Sequence, residues 1–124
     1  MHLRREVTEG ARAVHEVFGV APRWYRGATA VYDAQAAEEI GRLGLGIAGF
    51  SVNVDAGATL GKCAIIERLK QVRDGDVLIA HMNKPASASA EGLAVGLVAL
   101  LHRGFVFVRL DAVALQVVPA RPGR

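Results

Sequence analysis

A single cysteine, Cys63, excludes any intrachain disulfide from this chain of 124 residues, so its fold must rest on a buried core. Charge of one sign is also scarce: 15 Lys and Arg stand against 12 Asp and Glu, a net charge of +3. Arg4-Arg5 is the only adjacent basic pair, and the aromatics amount to one Trp, two Tyr and four Phe. A nucleic-acid groove needs a concentrated basic face with aromatic platforms, so nucleic acid is set aside as a partner. No segment reaches the ~18 apolar residues of a membrane span; the most apolar one, residues 92–101, stops at His102-Arg103. The opening residues Met1-His2-Leu3-Arg4-Arg5-Glu6 lack the apolar core of a signal peptide. The compartment is left open by these absences.

Apolar residues are abundant. They make up 52% of the chain before its 14 glycines are counted, against roughly 45–50% with glycine included for ordinary soluble domains. The excess points to strands buried on both faces, or to apolar surface awaiting a partner. Along the chain, helical and extended patterns alternate. Leu3, Val7, Val14 and Phe18 share one helical face, and Gly19 suits the stop. Trp24, Tyr25 and Arg26 form a short extended run. Asp33 can cap a second helix carrying Ala37, Ile40 and Leu43, which Gly44 ends.

Residues 45–54 read as a buried strand with near-continuous apolar content, as in a parallel sheet. A loop leads into a helix over residues 61–72, and Arg73-Asp74-Gly75-Asp76 is a turn before a strand at residues 77–81. Ser89 can cap the helix carrying Leu93, Leu97, Leu100 and Leu101; residues 105–110 form the last strand. About four strands separated by helices predict an α/β fold of parallel β/α units. A small open sheet and part of a (β/α) barrel both fit. Residues 1–112 are expected to form the domain and residues 113–124 a tail.

Several attractive motifs are set aside on chemical grounds. Gly44-Leu45-Gly46-Ile47-Ala48-Gly49 spells G-x-G-x-x-G, but it closes a helix and enters a strand, the reverse of a dinucleotide site. Its glycines read as a helix stop and a crowded strand. Asp74 and Asp76 flank Gly75 as turn residues. His2, His15 and His102 lack ligand spacing, and Cys63 reads as a helix residue packed in the core. Ser87 and Ser89 lie near His81 in sequence, yet no G-x-S-x-G elbow accompanies them.

Three segments in order carry a more specific pattern: Trp24-Tyr25-Arg26-Gly27-Ala28-Thr29, Phe50-Ser51-Val52-Asn53-Val54-Asp55, and Asp76-Val77-Leu78-Ile79-Ala80-His81. Together they resemble the later motifs of the polysaccharide deacetylases of carbohydrate esterase family four, and residues 104–110 resemble that family's last strand. The resemblance covers most of residues 3–112 and implies the second half of a distorted (β/α) barrel. Three departures stand out. Arg26-Gly27-Ala28-Thr29 replaces the usual Arg-Pro-Pro-Tyr, Ala56 rather than Trp follows Asp55, and Ile79 replaces a leucine.

By that resemblance the activity is metal-dependent removal of N- or O-acetyl groups from a chitin- or peptidoglycan-like polysaccharide. Arg26 matches the arginine that keeps the catalytic base ionised, Asp55 the acid that orients that arginine, and His81 the histidine that protonates the departing amine. Ile79 matches the residue against which the acetyl methyl packs. The backbone N–H of Thr29 falls where the family helps stabilise the oxyanion, and Trp24 and Tyr25 fall on the substrate side. The family's Thr-Phe-Asp-Asp and His-x-x-x-His, which supply the base and the ligands of a zinc-like divalent metal, do not occur in this chain. This chain alone is therefore expected to hold no metal and to be inactive, although full-length relatives hold one and are often exported. A non-catalytic alternative is a half-barrel that associates with its own copy or with a separate N-terminal half, because open sheet edges and uncovered apolar surface promote association.

Overall fold

Opposite charges four residues apart (Arg5 with Glu9, Arg12 with Glu16) line the exposed surface of the first helix, α1 (His2–Phe18). The computed structural model describes residues 2–27 and 32–114 of the chain. These belong to two units, residues 1–49 and residues 50–124. The tail residues 115–124 and Thr29 lie outside the described residues.

In the first unit α1 buries only Val7 fully, and Gly19 ends it at φ 72°. Val14 and Phe18, expected on the packed face, are exposed, so the apolar stripe is covered only in its first half. A two-residue strand, β1 (Trp24–Tyr25), pairs in parallel with β2 (Gly46–Ile47) in the register Trp24 to Gly46 and Tyr25 to Ile47. Between them runs α2 (Ala34–Arg42), capped as expected by Asp33, whose Oδ1 accepts the Ala36 N–H at 2.7 Å. Ile40 is its buried anchor. Gly44 takes φ 77° after the helix, and a Cβ on Gly46 would stand 2.6 Å from the Trp24 ring. The two glycines do the structural work the sequence suggests, with no phosphate loop.

The second unit holds a parallel pair, β3 (Val52–Asn53) and β4 (Leu78–Ile79), with α3 (Lys62–Lys70) between them in sequence and α4 (Ser89–His102) after them. Val54, Ile65, Leu69, Val72 and Leu100 form its core, with Val52, Leu78, Ala80, Leu93, Leu97 and Phe105 packed against it. The helices meet through glycine: a Cβ on Gly92 would stand 2.7 Å from Ile65 Cβ, and one on Gly96 would stand 3.1 Å from Leu69 Cβ. Cys63 is exposed rather than core. Ile65 and Leu69 turn inward four residues apart, and a residue two before Ile65 falls on the opposite side of a 3.6-residue turn.

Two strand expectations are corrected. Residues 45–54 do not form one buried strand; the run divides into β2 and β3, which belong to separate two-stranded sheets. Phe50 and Ser51 between them are exposed, and the strand residues are half-buried, so neither sheet is covered on both faces. Residues 105–109 form no strand, and a short 3₁₀ turn over Leu110–Ala112 follows them. Apolar β-branched content favours strand geometry, but a strand exists only with a neighbour to bond, and this run has none among the described residues. The α/β class and parallel pairing stand; a closed barrel is absent from the described residues.

The glycine contact between α3 and α4 is testable. Alanine favours a helix over glycine by about 1 kcal/mol, yet at position 92 its methyl runs into the stiff, β-branched Ile65 side chain. Overpacking of that kind costs typically 1–3 kcal/mol. Gly92→Ala is expected to lower unfolding free energy by about 1–2 kcal/mol in urea titration despite its better helix propensity.

Candidate functional site

The register of β3 on β4 builds the site. Val52 pairs with Leu78 and Asn53 with Ile79, and the Val54 N–H continues the ladder to the Ile79 carbonyl at 3.0 Å. Carried on by one more step, the same spacing brings Asp55 beside His81, 26 residues away. Side chains alternate along a strand. Val52, Val54, Leu78 and Ala80 pack with the core, whereas Ile79 stands outside that cluster and shares its strand face with His81. Asp55 and His81 both follow the C-terminal ends of parallel strands, where such sheets expose their loops.

Asp55 has 0% exposure, and both of its carboxylate oxygens are hydrogen-bonded. Its Oδ2 accepts the His81 backbone N–H and the Ser89 hydroxyl, each at 2.8 Å. Its Oδ1 lies 2.9 Å from His81 Nδ1. Burial opposes the charge, but the His81 amide and ring, the Ser89 hydroxyl and the Ala58 amide outweigh it and lower the carboxyl pKa from 3.8 to about 2. An ionised carboxylate only accepts, so Nδ1 must carry the proton that joins them. The His81 side chain is 37% exposed, and Nε2 has no bonded partner among the described residues. The ring is thus held by one nitrogen and can give or take a proton with the other.

The loop after Asp55 is shaped around it. Ala56, Gly57 and Ala58 take φ values of 48°, 72° and 63°, and the Thr59 and Leu60 amides return to the Asp55 carbonyl at 3.0 and 3.2 Å. Left-handed geometry costs a residue with a Cβ roughly 1–2 kcal/mol. Asn53 helps hold it, accepting the Ala56 N–H at 3.0 Å through Oδ1, while Arg68 donates to the Asn53 carbonyl at 2.6 Å.

The other residues singled out by sequence fall in the first unit. Arg26 is exposed and follows β1 directly, the strand-to-loop position expected for it. Tyr25 is half-buried with its ring edge-on to Tyr32, centroids 6.3 Å apart, and Trp24 lies over Gly46. In the second unit the structure brings together Asp55, His81 and Ile79, and it adds a residue that sequence reasoning placed elsewhere. Ser89 is the first helical residue, not the cap, which is Ala88; its hydroxyl goes to Asp55. The Ser, Asp and His do not form a nucleophilic triad, because the serine bonds the carboxylate and not the ring. Asp76 stays a turn residue, accepting from the Ser51 hydroxyl and the Arg73 amide.

Among the described residues no group of three or more His, Cys, Asp or Glu could hold a metal ion. The described residues therefore do not fit a metal centre. No described helix is long and apolar enough to cross a membrane.

No protein-family profile and no curated protein matches the chain. Solved structures do. A family 4 carbohydrate esterase (CE4) pseudoenzyme from Bacillus anthracis superposes at TM-score 0.72 with 15% identity, over 83% of this chain and 36% of that one. A mutant of that pseudoenzyme with restored enzymatic activity matches at 0.72 and 16%, over 82% and 37%. The family 4 carbohydrate esterase from Streptomyces lividans, solved with acetate, matches at 0.73 and 17%, over 83% of this chain and 53% of that one. This chain therefore has the fold of part of a CE4 structure and spans about a third to a half of the length of those chains.

Asp55 makes stability depend on acid in a defined window. Its folded pKa, about 2, lies below the ordinary 3.8, so its contribution is complete above the unfolded value and is lost as pH falls through the folded one. The contribution is on the order of 2 kcal/mol. Urea unfolding at a series of pH values is expected to show Asp55→Asn less stable near neutrality and less sensitive to pH between about 4 and 2 than the parent.

Proposed function

We propose that this chain carries the proton-donating part of a deacetylase acting on an acetylated polysaccharide, a hydrolase of non-peptide C–N bonds. The carrying observation is the Asp55–His81 pair at the ends of adjacent parallel strands, with a buried ionised carboxylate on Nδ1. The CE4 fold likeness and the motif order support the same reading.

In it, a protonated His81 gives its Nε2 proton to the departing amine of an acetamido sugar as the C–N bond breaks. Asp55 keeps the ring in place and in the tautomer that makes this possible. Ile79, on the same strand face, offers apolar surface to the acetyl methyl. By the motif resemblance, Arg26, at the end of β1, is assigned the cation that steadies a carboxylate base, and Trp24, Tyr25 and Thr29 are assigned to the substrate. Both the base and a zinc-like metal come from outside the described residues, in keeping with a chain spanning part of the CE4 length.

A second reading, association as a non-catalytic half, is favoured by one observation. Residues 106–108 are apolar and exposed, Val106 by 82%, and have no strand partner among the described residues, and Val98 and Leu101 on α4 are exposed as well. Such surface is a site of pairing with a further copy or a separate N-terminal half.

Two experiments test these readings. The chain is combined with a segment bearing Thr-Phe-Asp-Asp and His-x-x-x-His, loaded with zinc, and acetate release from a chitooligosaccharide is followed. His81→Ala is expected to lower kcat by about 10²–10⁴-fold with KM little changed; an unchanged kcat removes His81 from the chemistry. Light scattering of the chain alone is expected to show an oligomer that Val106→Lys with Val108→Lys converts to monomer. A parent chain that is already monomeric overturns the association reading.

A further inference from the structure

The hydroxyl of Ser89 is out of place for its apparent task. A serine at the start of a helix ordinarily caps it, accepting an amide proton from two or three residues on. Here the cap position belongs to Ala88, which makes no side-chain bond, and Ser89 stands one residue inside α4. It is 3% exposed. Alanine is the better helix former at such a position and fills nearly the same volume, so helix formation does not account for the hydroxyl. Its proton goes to Asp55 Oδ2 at 2.8 Å, across 34 residues of sequence.

That bond completes a clamp. Oδ2 receives the His81 amide and the Ser89 hydroxyl, and Oδ1 faces the His81 ring. The terminal torsion of an aspartate is soft, and two donors on one oxygen determine where the other oxygen points. We infer that Ser89 is a positioning residue for the Asp55–His81 pair: it fixes the carboxylate so that the histidine keeps its proton on Nδ1 and leaves Nε2 for proton transfer. The inference rests on the deacetylase reading for its use, but its physical content is a property of the free chain.

The test is therefore made without substrate. The imidazole nitrogens of His81 are followed by 15N NMR in the full chain over a pH series, and the ratio of the two neutral tautomers is read at its alkaline end. Loss of one hydrogen bond to a charged group is worth about a tenfold change in an equilibrium. In Ser89→Ala the ratio of Nδ1–H to Nε2–H is expected to fall about tenfold. Ser89→Thr, which retains the hydroxyl, is expected to keep the parent ratio. An unchanged tautomer ratio in Ser89→Ala, with or without a lower Tm, gives Ser89 a packing role and overturns the proposal, as does a Ser89→Thr chain that behaves like Ser89→Ala. Absent acetate release in the reconstituted enzyme would sink the deacetylase reading and leave the tautomer result standing.

Discussion

A carboxylate with no solvent contact is the constraint on which the second unit turns. An ionised group taken out of water is tolerated only if donors replace its hydration, and Asp55 recruits them from three separate segments: its own loop, the second residue after β4, and the first turn of α4. Hydrogen bonds to charged groups are worth about 1.5–3 kcal/mol each. Several together exceed the cost of holding Ala56 and Ala58 in left-handed geometry, about 1–2 kcal/mol apiece. The strained loop and the depressed pKa are two consequences of one buried charge.

That interaction matters the more because the sheets are so small. Pairs of two-residue strands contribute few bonds and have little cooperativity of their own. In the second unit the apolar core lies instead between α3 and α4, where Gly92 and Gly96 let the helices close on Ile65 and Leu69. The helices fix one face of β3 and β4 through Val52, Val54, Leu78 and Ala80. The alternation of the strands then leaves Ile79 and His81 on the far side. Packing on one face thereby decides where the chemistry is displayed on the other.

Much of this was legible in the sequence, for local reasons. Helix stops at Gly19 and Gly44 take positive φ as their chemistry predicts, and Asp33 caps α2 because its side chain needs only residues three apart. The strand-end positions of Asp55 and His81 follow from apolar runs that end in polar residues, and their pairing follows from parallel register. What was not legible depends on neighbours. The run over residues 45–54 divides because its two ends bond different strands, and residues 105–109 have the composition of a strand but no described partner. Cys63 looked like core until the inward face of α3 was set by Ile65 and Leu69. Ser89 was readable as a helix-starting residue, but only the fold shows a carboxylate within its reach. Asp55 was expected to orient Arg26, which belongs to the other unit; within its own unit its oxygens engage His81, Ser89 and its own loop.

The size of the chemistry bounds what this pair can do. A positioned general acid contributes typically 10²–10⁴-fold to a rate, whereas enzymes exceed their uncatalysed reactions by about 10⁶-fold or more. In the proposed reaction, attack on an acetamide carbonyl also requires an activated water and stabilisation of the oxyanion, and neither Asp55, buried among its own donors, nor His81, assigned there to the leaving amine, can provide both. On that arithmetic the Asp55–His81 pair could be only one portion of the catalyst proposed above, and the chain has the fold of only part of a CE4 structure. The pair is nevertheless complete in itself. Its donors, its loop and its supporting core all lie within residues 50–124, so the orientation of the His81 ring is set within that unit, which for the proposed acid is the condition for delivering a proton without first reorganising its donor.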